Sequence, residues 1–481
     1  MPTLSVISAT DTICALATAI GGALGIIRIS GPDTLSIVSS ICSSKKIHSN
    51  EKSITKRNWG ANTIHYTHII APTNEIIDEV MVSIFRAPHS YTGEDSAEIS
   101  CHGSTYIIRQ ILDLLIANGC RMAEPGEYTQ RAYLNGKLDL SQAEAVSDLI
   151  ASTNRASHRI ALSQLRGGIS LELATLREQL LKLTSLLELE LDFSDHEDLE
   201  FADRTDLLEL ALRIDSNISY LSHTFETGQA IKQGIPVAIV GKTNVGKSTL
   251  LNCLLKDDRA IVSDIHGTTR DTIEDIIDIN GVSFRFIDTA GIRQTSDEVE
   301  LIGINRTYQA IEKARIVVWV IDEEPREEEV KEIQEQCDGK SLIIACNKID
   351  KGVKITDTSR FSHHISLLQI SAKHGQGIAD LEAAIYQAAD IPEIRENDTI
   401  VTNARHYDAL IRAQESLLRV IEGMGAKKIN GKWSMVNPSL SGDLLAEDLR
   451  LTLDTLAEIT GSQITTDEVL GNIFKHFCVG K

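Results

Sequence analysis

The chain of 481 residues carries 47 Lys and Arg against 68 Asp and Glu, a formal net charge of −21. Bulk electrostatics therefore excludes a protein coated in nucleic acid, while a local basic groove stays open. At 42% apolar and 24% charged the composition is that of an ordinary soluble protein, and the length is too great for one core, which predicts about three domains.

In chain order, residues 1–135 read as mixed α and β. Leu24–Ile29, Ile64–Ile70, Val80–Phe85 and Ala97–Cys101 are β-rich, and Thr105–Ala117 has helical periodicity ending at Gly119. Residues 136–231 turn helical. Leu176, Leu180, Leu183 and Leu187 share one face, a bundle core or dimer surface rather than a cofactor box. Asp195-His196-Glu197-Asp198 reads as a solvated connection. Residues 232–395 alternate apolar strands with helical stretches, as in a parallel sheet covered on both faces. Residues 396–481 return to helical pattern, with Arg405–Glu422 and Leu444–Ile459 as helices and Lys427–Pro438 as a loop. The α/β segment therefore reads as an insertion in an all-α domain, since surface loops tolerate inserted domains. No apolar run reaches the ~20 residues of a membrane span, and no basic segment followed by an apolar one opens the chain. The eight cysteines form no C-x-x-C pair, so free thiols in a reducing cytoplasm are expected.

The most informative stretch is Val237–Thr249. The apolar run Val237–Val240 leads into G-x-x-x-x-G-K-S (Gly241, Gly246, Lys247, Ser248), followed by the amphipathic Leu250–Leu255. Strand, glycine loop and helix form the context that makes this pattern a P-loop. The glycines let the backbone aim its N–H groups, Asn244 to Thr249 with Val245 among them, at a phosphate chain, and the helix N-terminus adds positive charge. Lys247 is placed to reach the β- and γ-phosphates and Ser248 to ligate Mg²⁺.

Downstream residues choose the base. Asn347-Lys348-Ile349-Asp350 follows the strand-like Leu342–Cys346. A carboxylate at Asp350 accepts from N1 and N2 of guanine, whereas adenine leaves it unpaired. Ser371-Ala372-Lys373, after Ile365–Ile370, fits the loop that backs the base. Between them lie two switch elements: Gly267–Asp271, with Thr268 and with Thr269 as second Mg²⁺ ligand, and Asp288-Thr289-Ala290-Gly291, whose carboxylate faces Mg²⁺ and whose glycine N–H faces the γ-phosphate. Ile292 stands where many GTPases place a water-orienting glutamine. Asp297, Glu298 and Glu300 are the nearby carboxylates, and Arg270 and Arg293 are finger candidates by position alone.

A set of further segments runs almost end to end: Asp11-Thr12-Ile13, Gly25–Gly31, Tyr91–Asp95, Cys101-His102-Gly103, Pro125–Tyr128, Leu138–Ala145, Asp297–Glu300 and Phe477–Lys481. With the GTPase elements, they make the chain resemble the MnmE (TrmE) family of bacterial and organellar tRNA-modifying GTPases. The resemblance implies an α+β folate-binding and dimerisation domain (1–135), an all-α helical domain in two parts (136–231 and 396–481) and an inserted α/β Ras-like P-loop GTPase domain (232–395). It further implies that 5,10-methylene-tetrahydrofolate is held by Arg28, Glu98, Lys137 and Lys481, with Cys478 of the tail involved in the chemistry. K⁺ would be held by Asn244, Ser263, Ile265 and Thr268, and Glu300 would orient the attacking water. The family forms a homodimer and a heterotetramer with the FAD-binding MnmG, acts in the cytoplasm, and modifies C5 of the wobble uridine of tRNA. Rival readings are an Era-type ribosome-assembly GTPase, although no G-x-x-G RNA-binding loop follows the GTPase segment, and a nucleotide-gated scaffold whose partner does all the chemistry.

Overall fold

The computed structural model describes residues 11–43, 59–192, 204–257, 275–287, 308–353, 366–392, 398–429, 432–435, 442–461 and 480. By its contacts the chain divides into two compact units, one of residues 1–151, 164–215 and 412–481, the other of residues 152–163 and 216–411.

The first unit is built on β1 (Thr12–Leu16), β2 (Leu24–Ser30), α1 (Thr34–Ile41), β3 (Cys42–Ser43), β4 (Thr63–Ile70), β5 (Ile76–Phe85), β6 (Ser96–His102), α2 (Thr105–Ala117) and β7 (Cys120–Met122). These strands form a seven-stranded sheet in the order β3-β4-β5-β6-β2-β1-β7, antiparallel except for the β1–β7 pair. The period-2 alternation decides what each face carries. Ile27, Ile29, Val80, Val82, Ile84, Ala97 and Ile99 point inward and pack with Ile37 and Val38 of α1 and Ile108 and Ile111 of α2. Arg28 and Glu98 fall between those positions and so leave on the opposite face.

Three helices follow the sheet, α3 (Glu127–Leu134), α4 (Leu140–Ala151) and α5 (Arg155–Leu165), and then the long α6 (Gly168–Asp192) and α7 (Arg204–Gln233). Leu176, Leu180, Leu183 and Leu187 of α6 are all buried, as their spacing predicts. Further along the chain, the second unit contributes β8 (Ile235–Val240), α8 (Lys247–Asp257), β9 (Asp275–Ile279), β10 (Val282–Phe286), β11 (Ile316–Ile321), α9 (Glu327–Gln336), β12 (Ser341–Cys346), β13 (Ser366–Gln369) and α10 (Ile378–Ala388). After these come α11 (Ala404–Gly423), β14 (Ala426–Ile429), β15 (Lys432–Met435) and α12 (Gly442–Thr460). Helix α12 packs against α6 in the first unit, with Leu445, Leu449, Leu456 and Ile459 buried.

The sheet of the second unit has the order β13-β12-β11-β8-β10-β9 and is parallel except at the edge, where β9 runs antiparallel to β10. The exception is local in origin. β9 and β10 are joined by Asn280-Gly281, both with positive φ, the two-residue turn that only an antiparallel pair can use. β11 is buried at every position. Its Ile316, Val318 and Val320 pack with α8 and α10, and its Val317, Trp319 and Ile321 pack with α9, so both faces are covered.

One sequence expectation is corrected. In its described part the stretch 427–438 is a β-hairpin rather than a loop, with Lys427 opposite Ser434 and Ile429 opposite Lys432. Asn430-Gly431 between two short strand-compatible runs is a hairpin signal, and it outweighs the loop reading of the glycine. The acidic stretch 195–198 lies outside the described residues. Among the described residues no helix is long and apolar enough to cross a membrane.

A buried ionic network ties α3 to the start of β1 and to β7. The Glu127 carboxylate, fully buried, accepts from Arg121 Nη2 at 2.6 Å, Arg131 Nη2 at 2.9 Å and the Glu124 N–H at 2.8 Å. Arg131 also donates to Asp11 Oδ1 at 2.6 Å. Burial opposes the Glu127 charge, but these donors, Arg121 foremost, outweigh it and hold the carboxyl below its ordinary value of 4.5. Its contribution to stability is therefore complete above pH 4.5 and is lost as pH falls through the lowered folded value. Glu127→Gln is expected to lower stability by about 3 kcal/mol at neutral pH and to flatten the acid limb of the stability curve, as read by thermal melts between pH 3 and 7.

Candidate functional site

The P-loop, the Asn347–Asp350 segment and the Ser371–Lys373 segment all sit at the C-terminal ends of β8, β12 and β13, three parallel strands of one sheet. This is where an open α/β sheet presents its ligand crevice. Gly241 (φ +145°) and Gly246 (φ +103°) hold conformations that L side chains rarely adopt. A Cβ at Gly241 would collide with the Val320 carbonyl, and one at Gly246 with the Asn347 amide. Asn244 adopts φ +62° and Val245 is buried beneath the loop.

Lys247 opens α8. Its Nζ donates to the carbonyls of Gly241 at 2.6 Å and Lys242 at 2.7 Å, curling over the loop. Burial pushes its ammonium below the usual lysine value, so an anion there has a desolvated cation to meet. Ser248 is half-buried and Thr249 exposed in the first turn of the same helix. Lys242 is held at the loop's outer edge by Glu329 at 2.9 Å and Glu323 at 3.2 Å.

Asn347 is the hinge pin of this arrangement. Its Nδ2 donates to Val245 O at 2.8 Å and its Oδ1 accepts from the Ala372 N–H at 3.0 Å, so one buried amide clamps the P-loop to the base-backing loop. Lys348 takes φ +64°, costly for a lysine, and its Nζ donates to Asn244 O at 2.7 Å and to the Asp322 carboxylate. The Asp350 carboxylate accepts the Ser371 hydroxyl at 2.7 Å, and that bond, foremost, holds it below the ordinary carboxylate value. Lys373 is exposed beside them. The bridging role of Asn347 and the Asp322 partner were not read from the sequence. Asp322 directly follows β11, a strand that carries no motif of its own.

Thr268, Thr269, Ser263, Ile265, Asp288, Thr289, Ala290, Gly291 and Glu300 lie outside the described residues, as do Cys478 and Lys481.

A second polar cluster lies on the face of the first unit's sheet opposite to the one packed on α1 and α2. Arg28 and Glu98 are directly opposite in register on β2 and β6. Arg28 Nε and Nη2 both donate to Glu98 Oε1, at 3.0 and 2.8 Å, so the two residues expected to contact a ligand separately are paired with each other. The rings of Tyr91 and Tyr128 flank the guanidinium, each centroid 5.7 Å away. The third Arg28 nitrogen donates to the Gly480 carbonyl at 3.1 Å. Gly480 has φ +96°, and a Cβ there would press on the Leu16 carbonyl at 2.5 Å, so only glycine fits this approach of the tail to β1. Lys137 donates to Pro88 O at 3.0 Å, in the segment that also carries Tyr91, and the structure does not bring its ammonium onto Arg28 or Glu98 by any hydrogen bond.

The fold of the second unit and these motifs define a P-loop, guanine-nucleotide-binding protein. A family model described as the MnmE helical domain matches residues 140–478, and one described as the GTP-binding protein TrmE N-terminus matches residues 12–137. The tRNA modification GTPase MnmE of Phocaeicola vulgatus is 52% identical, covering 98% of this chain and 99% of the relative. Its counterpart in Parabacteroides distasonis is 53% identical over 98% of this chain and 100% of the relative. Among solved structures, the G domain of the Thermotoga maritima FeoB iron transporter is similar at 26% identity and a TM-score of 0.24, covering 32% of this chain and 99% of that one. The chain belongs to the MnmE family of tRNA modification GTPases. That near-full-length match sets aside the Era-type reading.

Asp350→Asn is expected to weaken GTP binding about a hundredfold or more and to gain affinity for xanthosine triphosphate, because the amide then meets a carbonyl where guanine carries its amine. Titration with fluorescent guanosine and xanthosine nucleotides reads both changes.

Proposed function

We propose that this chain hydrolyses GTP and, with the FAD-binding partner MnmG, modifies C5 of the wobble uridine of certain tRNAs, with methylene-tetrahydrofolate as carbon donor. The clamp made by Asn347 carries the nucleotide half of this reading. It fixes the phosphate-facing loop and the base-facing Asp350 as one unit, so phosphates and guanine are bound at a set spacing. The bond from Ser371 turns Asp350 into an oriented acceptor. Lys247 supplies positive charge to the β- and γ-phosphates, and Ser248 and Thr269 supply hydroxyl oxygens to Mg²⁺, whose charge offsets that developing on the phosphoryl group.

Ile292 cannot orient water, so we assign that role to Glu300. K⁺ held by Asn244, Ser263, Ile265 and Thr268 supplies the positive charge that an arginine finger provides elsewhere, when two GTPase domains of a homodimer meet. Asn244 suits this role chemically. Its left-handed backbone already lies in the P-loop, and its carbonyl is fixed by Lys348. On the first unit, the Arg28–Glu98 pair between Tyr91 and Tyr128 fits a pterin. Glu98 offers an acceptor to its donor edge, the guanidinium a donor to its carbonyl, and an aromatic ring a flat wall. Lys137 and Lys481 serve its anionic end. The contact between Gly480 and Arg28 supports a tail that reaches this cluster, with Cys478 two residues away in the chain. We place the protein in the cytoplasm, as a homodimer that joins MnmG in a heterotetramer, with the GTPase domain (232–395) inserted between the two parts of the helical domain (136–231 and 396–481) and the folate domain at 1–135.

Mass analysis of wobble uridines in tRNA from cells lacking this chain should show the loss of C5-modified nucleosides, and a normal profile would refute the reading. Glu300→Ala should retain GTP affinity and lose about 2.7 kcal/mol or more of transition-state stabilisation, roughly a hundredfold in kcat. Replacing K⁺ by Na⁺ should slow hydrolysis by a comparable factor in a phosphate-release assay.

A further inference from the structure

A chain of net charge −21 must gather positive charge locally if it is to hold a polyanion. From Gly423 to Gly442 it has no acidic residue, and Lys427, Lys428 and Lys432 all fall in that stretch. The structure folds it into the β14–β15 ribbon. Lys427 and Lys428 are exposed, and neither has a carboxylate partner among the described residues. Neighbouring cations of the same unit are neutralised instead. Arg412 pairs with Glu458 at 2.7 Å and Arg419 with Asp448 at 2.6 Å.

The ribbon also carries an aromatic ring in register with a cation. Lys428 lies opposite Trp433, and its Nζ is 5.7 Å from the ring centroid. Trp433 is half-buried, so part of the indole remains open. An indole surface with an ammonium beside it matches an unstacked base and its phosphate, because every base has a face to stack and every linkage a charge to neutralise. Successive residues of a strand leave opposite faces, so Lys427 offers a second cation on the other side of a ribbon only two strands wide.

We propose that the β14–β15 hairpin is an RNA-contacting ribbon, which stacks an unpaired base of tRNA on Trp433 and neutralises flanking phosphates with Lys427 and Lys428. This rests on the tRNA-modifying reading above for the identity of the RNA. Nothing in that reading depends on it in return.

The test uses the full chain and a fluorescein-labelled tRNA transcript, with anisotropy measured across a salt series. The double substitution of Lys427 and Lys428 by Gln should weaken binding about fivefold or more near 0.1 M salt and reduce the slope of log K against log salt by about 1.5. Trp433→Ala should weaken binding about fivefold or more, while Trp433→Phe keeps most of it, a rescue that a purely structural tryptophan would not show through stacking. GTP hydrolysis and the melting temperature of the double variant should match the wild type, which verifies its fold. Unchanged affinity and slope in that variant would overturn the proposal, as would a wild-type chain that does not bind the transcript. Intact RNA affinity with lost binding of an acidic protein would assign the ribbon to a protein interface and overturn it equally. Failure of the tRNA-modifying reading is separately visible, as an unaltered wobble-nucleoside profile in cells lacking the chain.

Discussion

The nucleotide face of the second unit depends on one side-chain amide. Asn347 has a donor and an acceptor in a fixed plane, and both are used on backbone groups of two other loops, Val245 and Ala372. A buried amide in this position is worth more than two isolated bonds, because its removal strands a carbonyl and an N–H away from water. Gly246 lies so near the Asn347 amide that no Cβ fits between them. The glycine of the phosphate loop is therefore required by the base-recognition segment as much as by the phosphate. Strain at Lys348 is held by the same means. Its left-handed backbone is anchored through Nζ to the loop carbonyl of Asn244 and to Asp322. The three loops form one preorganised surface, which is what discrimination between purines demands.

The first unit meets a different constraint. Its sheet buries one face under α1 and α2, and strand alternation then forces every second residue outward. Arg28 and Glu98 are brought together by register across β2 and β6, not by proximity in sequence. Their pairing uses two of the guanidinium nitrogens, and the third donates one of its N–H groups to the Gly480 carbonyl. The tail is thus coupled to a polar pair on a mixed surface that includes exposed Tyr66, Ile64 and Met81. Within α3 the charges of Glu127 and Arg131 are buried and mutually satisfied, a network that specifies how the helix docks on the start of β1 and on β7.

Much of the architecture was legible because its signals are local. The P-loop, the Asn347–Asp350 segment and the strands before them depend on glycine permissiveness and on short apolar runs, which a linear reading detects. The helices at Thr105–Ala117 and Ala404–Gly423 announce themselves by period, and the leucines of α6 by their buried stripe. The short strands β1 and β7 escaped that reading. Three to five residues give too little periodicity, and the two strands pair with each other across more than a hundred residues of chain, at the edge of the sheet. The β14–β15 hairpin was misread for a related reason: a ribbon of four-residue strands has no apolar run to mark it, only the Asn-Gly between them.

The amino-acid sequence by itself determined the longer helices, the motif-bearing strands, the family and the residue types that phosphate and guanine require, since each of these follows from backbone freedom and side-chain chemistry within short stretches of chain. Only the tertiary structure decided which of those residues meet. It paired Arg28 with Glu98, set Asn347 across two loops, gave Asp350 its serine and brought Gly480 back to β1. The physical reason is that each of these contacts joins segments from about twenty to more than four hundred residues apart, and such contacts are fixed by strand register and sheet order, which no local pattern encodes.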